Sequence, residues 1–214
     1  MPEKRILVIG ASRGIGLATV SAACDKGWAV RAFSRNASKM AYTHDNLSRH
    51  DGNALVAADV ASALVDIEAV VLSLGVPFDL KLFTGPVELF SEATRILIEQ
   101  MSQHNVKRLV CVTGFGAGDS HGAIAPLQRI GFNLVFGRAY ADKSEQEASI
   151  RASSLAWTIA RPGVLTNGAR KPYQVLVTQD TWRNGIISRA NVADFIINAI
   201  AQDQYITQAP VLIS

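Results

Sequence analysis

The chain has 214 residues, of which 49% are apolar and 18% charged, and 21 Lys and Arg against 18 Asp and Glu give a formal net charge of +3. A chain of this length supports one core and one domain, here residues 1–214. The small basic excess forms no cluster, which disfavours nucleic-acid binding through a phosphate-tracking surface. No apolar run approaches the roughly 20 residues that span a bilayer, and the first run ends too early for a signal peptide. Two isolated cysteines without metal-ligand spacing fit a reducing, cytoplasmic compartment.

Short apolar runs alternate with segments of helical periodicity, which favours parallel strands linked by crossover helices. The predicted strands cover residues 5–9, 29–34, 54–58, 69–74, 108–113 and 156–160, and residues 210–213 resemble a terminal strand. The predicted helices cover residues 14–26 and 86–103, a stretch from 126, residues 140–152 and a last segment capped by Ser188. Residues 36–53 are expected to form a loop. Because several strands are almost wholly apolar, we expect an α/β fold with a doubly wound parallel sheet.

The sharpest local pattern is the segment GASRGIG at residues 10–16, between the first predicted strand and the first predicted helix. Gly10 permits a tight turn, Gly14 lets the backbone approach a pyrophosphate, and Gly16 allows close packing of helix and strand. The N–H groups at the start of the helix would then face an anion. The alternative is an ordinary glycine-rich turn between a strand and a helix.

The GxxxGxG spacing of this turn, with Ala-Ser-Arg between the first two glycines, resembles the short-chain dehydrogenase/reductase superfamily. The resemblance implies a Rossmann sheet in which the end of the second strand selects the cofactor, because an acid there holds the 2′-hydroxyl of NAD. This chain has Arg35 there, beside Ser34 and with Arg13 in the turn, and a guanidinium suits a phosphate dianion. NADP(H) is therefore the preferred cofactor and NAD(H) the alternative, unless Arg35 is simply a solvated loop residue.

The resemblance covers nearly the whole chain and is closest to the atypical NAD(P)H-binding branch, which includes flavin and biliverdin reductases. It rests on YADKSEQE at 140–147, WTIARPG at 157–163 and SRANVAD at 188–194. It implies cofactor contacts in the glycine turn, at the strand ends and along the Arg-Pro-Gly segment: Gly10, Ser12, Arg13, Gly14, Ile15, Gly16, Arg35, Asp59, Val60, Leu74, Gly75, Lys143, Pro162, Gly163 and Val164. For Asp59 a helix cap is the alternative, and for Gly75 a plain strand-ending turn.

Three residues are candidates for the chemistry. The superfamily uses a Tyr as proton donor and a Lys four residues later, whose charge lowers the pKa of the Tyr. Here Tyr140 and Lys143 are three residues apart, still on one helix face, and Lys143 matches the family Lys. The alternatives are a Tyr140 that packs against the fold and a Lys143 paired with Glu147. Thr113 ends the fifth predicted strand, where related reductases place Ser or Thr, unless it is merely a β-branched strand residue.

Other side chains give weaker signals. His121 is either a substrate contact or an exposed loop histidine. The aromatic residues that would line an apolar cleft, unless they belong to the core, are Phe115, Phe132, Phe136 and Trp182. The histidines show no metal-ligand spacing, and no GxSxG elbow exists. The short stretch after Gly163 makes a nucleotide-sugar substrate unexpected, because the epimerases carry a larger C-terminal domain.

The expected function is NADPH-dependent hydride transfer to a small conjugated or carbonyl acceptor such as a flavin, a quinone or a ketone. Without a positioned Tyr, catalysis would rest on proximity, with protons drawn from water. Ala139 stands four residues before Lys143, where the superfamily has its Tyr, and this favours the alternative of a non-catalytic NADP-sensing regulatory protein. An enzyme with a polycyclic substrate is a third possibility. We expect a monomer or homodimer that acts on a small molecule, with no nucleic-acid or membrane partner.

Overall fold

A computed structural model describes residues 4–75 and 88–214 of the chain, with the backbone alone described for residues 126–136. The strands are β1 (Arg5–Ile9), β2 (Ala29–Ser34), β3 (Leu47–Asp51), β4 (Ala69–Leu72), β5 (Arg108–Val112), β6 (Ala156–Pro162), β7 (Val164–Thr166), β8 (Gln174–Leu176), β9 (Ile186–Ser188) and β10 (Val211–Ile213). The helices are α1 (Gly14–Asp25), α2 (Ala57–Ala63), α3 (Leu89–Gln103), α4 (Pro126–Ala152) and α5 (Arg189–Ala201). Short 3₁₀ turns cover Ala37–Lys39, Gly118–Ala123 and Gln179–Thr181.

The main sheet has the strand order β3-β2-β1-β4-β5-β6-β10-β8, and β7 pairs with β9 in a separate ribbon. All pairs of the main sheet are parallel except β10 with β8. The chain reverses its direction of winding between β1 and β4, which makes the carboxyl end of β1 the switch point where α/β sheets bind ligands. There Ile9 pairs with Phe33 of β2 and with Leu72 of β4. The predicted doubly wound α/β fold is confirmed.

Two apolar layers bury the faces of the sheet. On one face α1 and α5 pack together, with Val20 and Ile196 in the shared core. On the other face α2, α3 and α4 cover the sheet, with Leu97 and Ile150 fully buried. Because helices cover both faces, β1, β4 and β5 can be almost entirely apolar.

The third strand was predicted in the wrong place. Residues 54–58 do not form a strand, and α2 begins within them at Ala57. The true third strand, β3, lies in the segment that was predicted as a loop. Its sequence LSRHD has only one apolar residue. β3 is an edge strand, so backbone pairing with β2 orders it, and burial of side chains is not needed. Hydrophobic periodicity carries no signal for such a strand.

The helices are mostly as predicted, with one difference in continuity. The stretch from residue 126 and the segment 140–152 form the single helix α4, which Gly131 and Gly137 do not interrupt. The start of α3 is Leu89, while the predicted start at residue 86 lies outside the described residues. Ser188 caps α5 as predicted, and its side chain accepts a hydrogen bond of 3.0 Å from the Asn191 N–H. Among the residues that the structure describes, no helix is long and apolar enough to cross a membrane.

Candidate functional site

A cavity of about 1500 Å³ opens at the carboxyl ends of the parallel strands. Its wall takes residues from the ends of five strands: Ile9, Ser34, Ser73, Thr113 and Pro162. The volume exceeds the roughly 300–1000 Å³ of most small-molecule pockets, so an extended ligand such as a dinucleotide fits.

The three glycines of the GASRGIG turn have different surroundings. Gly10 has φ +85°, and a Cβ atom there would collide with the Ser73 carbonyl oxygen. A Cβ atom at Gly16 would collide with the Gly10 carbonyl oxygen, so this glycine lets α1 approach β1 closely. Gly14, with φ +62°, borders the cavity, and the nearest atom to a Cβ there would be the Arg189 Nε at 3.9 Å. The turn is therefore closely packed at both ends and open to the cavity in the middle.

The start of α1 is suited to an anion. Its N-cap residue Arg13 has an extended backbone and makes no side-chain cap hydrogen bond, and the first turn contains no acidic residue. Ser12, Arg13, Gly14 and Ile15 all line the cavity. The N–H groups of the first turn and the helix dipole thus favour negative charge at this point.

The cavity wall is strongly cationic. Four basic side chains line it (Arg13, Arg35, Lys143 and Arg189), and no Asp or Glu does so among the described residues. Arg13 and Arg35 are exposed and form no ion pair within the described part of the chain. Beside Arg35, the buried Ser34 Oγ has no hydrogen-bond partner among those residues. A ligand with several phosphate charges fits this donor set.

Lys143 enters the cavity from α4. Its Nζ donates a hydrogen bond of 2.8 Å to the Thr113 carbonyl oxygen and lies 4.4 Å from the centroid of the Phe90 ring. Burial lowers the pKa of the ammonium group to about 8, although Cys111, Glu147 and Asp142 favour the charge. The alternative interpretation, an ion pair with Glu147, is wrong, because that carboxylate is bound by Arg161 and Thr113.

Thr113 lines the cavity, but its hydroxyl group serves the protein interior. The Thr113 Oγ1 donates a hydrogen bond of 2.6 Å to the Glu147 Oε1. Glu147 and Arg161 are 1% and 0% exposed, and the Arg161 guanidinium also donates to Asp119. The hydroxyl proton thus completes a buried ion-pair cluster. This differs from the prediction that Thr113 takes part in the chemistry.

Tyr140 also differs from the predicted proton donor. A Cβ atom at Gly114 would lie only 2.6 Å from the Tyr140 Oη, so the hydroxyl group rests against the backbone after β5. Burial raises the pKa of Tyr140, and the residue is not among the described residues of the cavity wall. The position matches the alternative, in which Tyr140 packs against the fold.

Asp59 and Val60 were predicted as cofactor contacts because the third strand was expected to end just before them. Neither residue lines the cavity. The Asp59 Oδ2 accepts a hydrogen bond of 2.8 Å from the Asn53 N–H, and Val60 is fully buried in the core. Asp59 therefore holds the loop before α2 from within the first turn of that helix, and it is not the helix cap of the alternative, because the N-cap residue is Val56. The loop itself lines the cavity through Gly52, Asn53, Ala54 and Leu55.

The remaining predicted contacts are divided. Leu74, Gly75 and Pro162 line the cavity. Gly163 and Val164 do not appear in its described wall. A Cβ atom at Gly163 would collide with the Gly185 carbonyl oxygen, and Val164 is exposed on β7. The next residue along β7, Leu165, lines the cavity instead.

Of the other candidate side chains, those that the structure describes are absent from the cavity wall. His121 belongs to the 3₁₀ turn Gly118–Ala123 and is absent from the described wall. Phe115 is buried in a small cluster with Trp182, whose ring lies 4.9 Å from the Arg161 guanidinium carbon. The side chains of Phe132 and Phe136 lie outside the described residues. Among those described, no cluster of His, Cys, Asp or Glu could hold a metal.

Arg189 and the loop residues Asn167 and Gly168 also line the cavity, although the sequence did not predict them as site residues. Arg189 stands inside the SRANVAD segment, so its location in a family-like motif was the available signal. The pairing of this segment with the glycine turn depends on the packing of α5 against α1, which no local pattern shows.

The fold and this cavity define an α/β protein of the Rossmann type that binds a nicotinamide dinucleotide. The sequence profile of the NAD(P)H-binding family matches residues 10–203, and the chain belongs to this family. This membership confirms the predicted NAD(P)H-binding family, while the assignment to the atypical branch of the short-chain dehydrogenase/reductase superfamily stays a prediction.

Relatives of this chain include plant and bacterial proteins. An uncharacterized chloroplastic protein of Arabidopsis thaliana is 27% identical over 210 residues, which cover 94% of this chain and 73% of that protein. The chloroplastic protein TIC 62 of Pisum sativum is 28% identical over 220 residues, which cover 91% of this chain and only 40% of TIC 62.

Solved structures give a closely similar fold. ChuY, an anaerobilin reductase from Escherichia coli O157:H7, matches with a TM-score of 0.80 and 26% identity, covering 98% of this chain and 96% of ChuY. A short-chain dehydrogenase/reductase from Veillonella parvula in complex with NADP matches with a TM-score of 0.82, covering 99% and 94% of the two chains. At 15% identity, the second likeness is one of fold alone.

Proposed function

We propose that the protein is an NADPH-dependent reductase that transfers a hydride to a small conjugated or carbonyl acceptor, such as a flavin, a quinone or a ketone. The observation that carries the proposal is the cavity wall, which has four basic side chains and no acidic one among the described residues. Arg35 stands where an acidic residue would select NAD. The similarity to ChuY makes anaerobilin a further acceptor to test.

Each part of the cavity has a distinct task in this proposal. The α1 N-terminus binds the diphosphate, and Arg35 with Arg13 and the orphan Ser34 hydroxyl binds the 2′-phosphate. Lys143 holds the ribose next to the nicotinamide, while Pro162 borders the same end of the cavity. When bound, NADPH supplies the hydride.

Neither of the two predicted hydroxyl groups is poised as a proton donor toward the described cavity. Thr113 donates to Glu147, and Tyr140 rests against Gly114. The protein therefore contributes proximity and orientation, while the proton comes from water or from the Lys143 ammonium. Flavins and quinones tolerate this arrangement best, because their reduced forms do not depend on one stereospecific protonation.

The test is consumption of NADPH and NADH, followed at the absorbance band of the reduced nicotinamide. The acceptors are riboflavin, FMN, menadione, a simple diketone and anaerobilin. We expect faster consumption with NADPH than with NADH. Arg35→Met should raise the Kd for NADP by about 10- to 100-fold, the loss of one or two charge-assisted contacts. Lys39→Met, which removes a nearby cation outside the described cavity wall, should leave the Kd unchanged.

The missing proton donor also favours a second candidate, an NADP-sensing regulatory protein. Tight binding of NADPH without consumption across the acceptors would favour the sensor. Steady consumption would exclude it, and failure to bind either nucleotide would overturn both candidates.

A further inference from the structure

Arg189 lines the cavity together with Arg13, Arg35 and Lys143. It begins α5, directly after the capping residue Ser188. Because α5 packs beside α1 over the same face of the sheet, Arg189 approaches the glycine turn from the side of β5 and β6. Arg35 approaches the cavity from β2, on the other side of β1. The two guanidinium groups therefore reach a bound dinucleotide from different sides.

The position of Arg189 is defined by two contacts. Its Nε is the atom nearest to a Cβ placed on Gly14, at 3.9 Å, so the guanidinium lies over the open middle of the turn. Its Nη1 donates a hydrogen bond of 2.6 Å to the Asn167 Oδ1. This partner is neutral, and among the described residues Arg189 forms no ion pair with a carboxylate. The guanidinium is thus oriented while its charge stays available for a ligand.

We propose that Arg189 binds the diphosphate of the dinucleotide, facing the N–H groups at the start of α1. The inference rests on the proposed function, because it assigns a residue of the same site. A diphosphate at Gly14 would have helix N–H groups on one side and a planar, oriented guanidinium on the other, an arrangement suited to paired hydrogen bonds. Since NADP and NAD share the diphosphate, Arg189 stabilises both, whereas Arg35 distinguishes them.

This division of roles can be measured by equilibrium binding of NADP, NAD and adenosine 2′-monophosphate, which lacks the diphosphate. Arg189→Met should raise the Kd for NADP and for NAD by the same factor, about 10- to 100-fold. It should leave the Kd for adenosine 2′-monophosphate unchanged. Arg35→Met should show the opposite pattern, weakening NADP and adenosine 2′-monophosphate while sparing NAD.

Two further variants make the test independent of a single substitution. Asn167→Asp keeps Arg189 but pairs it with a carboxylate, and Asn167 is exposed, so the fold should tolerate the change. This variant should also weaken NADP and NAD equally. Arg183→Met is the matched control, because it removes an exposed arginine outside the described cavity wall. It should leave all three constants unchanged.

The outcomes separate this inference from the proposed function. Equal weakening of both dinucleotides by Arg189→Met and by Asn167→Asp supports the assignment. If Arg189→Met weakens NADP alone, or weakens neither dinucleotide, Arg189 does not bind the diphosphate, although the cofactor site stands. If the wild-type protein binds neither dinucleotide, the proposed function itself is overturned.

Discussion

Lys143 is held in the cavity without a carboxylate partner of its own in the described part of the chain. A backbone carbonyl accepts its hydrogen bond and the Phe90 ring lies beneath its charge. Of the two acids that favour its charge, Asp142 binds the start of α3 and Glu147 binds Arg161. A buried ammonium in such surroundings is easily deprotonated, and the pKa of about 8 reflects this burial. The remaining ammonium protons are available to a polar group of a ligand.

The affinity for NADP should therefore decrease as the pH rises through about 8. Below this pH Lys143 is protonated and attracts the anionic cofactor, and above it the charge is lost, with an expected rise in Kd of about 3- to 10-fold. Lys143→Arg should remove the dependence, since a guanidinium stays charged. The measurement is the Kd for NADP from about pH 7 to pH 9.5, a range above the second ionisation of the 2′-phosphate.

Two ionisable groups near Lys143 do not contribute to this pH dependence of the Kd. The pKa of the buried Cys111 thiol is raised to about 12, and burial raises the pKa of Tyr140 above its ordinary value, so both stay neutral. If the wild-type profile is flat, or if Lys143→Arg keeps the same slope, another group controls the affinity and the role given to Lys143 is wrong.

At the scale of elements, the sequence predicted the buried strands and missed the polar one. Continuous apolar runs such as LVCV in β5 have a strong signal because helices cover both of their faces. β3 is ordered by pairing with β2, and the short strands β7, β8 and β9 have three residues each, too few to show a period. The error at β3 placed a predicted cofactor contact at Asp59, whereas Gly52 and Asn53, which follow the true β3, line the cavity.

The candidate site was predictable to the extent that its chemistry lies in contiguous segments. The glycine turn and Arg35 were found this way, and both line the cavity. The partners of Thr113 and Asp142 were not found, because they are separated by 34 and about fifty residues along the chain. Such pairings depend on how α4 packs against β5 and α3.

The start of α3 depends on a carboxylate from another helix. The N-cap residue Glu88 makes no side-chain cap hydrogen bond, whereas Asp142 of α4 accepts from the Phe90 N–H at 2.7 Å and from the Ser91 N–H at 3.1 Å. Asp142 is 3% exposed, so these N–H groups have little access to water. This cross-helix cap also fixes Phe90 beneath Lys143.

Asp142→Asn should lower the free energy of unfolding by about 1–2 kcal/mol. The amide keeps one acceptor oxygen, but it loses the charge that favours the N-terminus of α3. Urea denaturation measures the change. The matched control is Glu145→Gln, an exposed residue on the same helix, which should change the free energy by less than about 0.5 kcal/mol. Equal values for the two variants would mean that Asp142 does not stabilise α3.

At the scale of the whole molecule, the two ends of the parallel strands have different tasks. The carboxyl ends of the strands form the cavity, which exposed arginines line. Among the described residues, no acidic side chain neutralises these charges. Another arginine lies at the amino ends of the strands, Arg108 at the start of β5, and it is 7% exposed. Its guanidinium donates to the carbonyl oxygens of Ala156, Ala199 and Gln204, and so ties β6 to the end of α5. Here the charge serves the fold and is remote from the ligand.

Arg108→Met should therefore destabilise the protein without changing the site. Several buried carbonyl oxygens would lose their donor, and we expect the free energy of unfolding to fall by about 2–4 kcal/mol. Lys107→Met, an exposed neighbour, should have little effect on stability. Under conditions where the Arg108 variant is still folded, its Kd for NADP should equal that of the wild-type protein, because the cavity lies at the opposite ends of the strands. A raised Kd for NADP with unchanged stability would show that the two ends of the strands are coupled. The separation of tasks inferred from the fold would then be wrong.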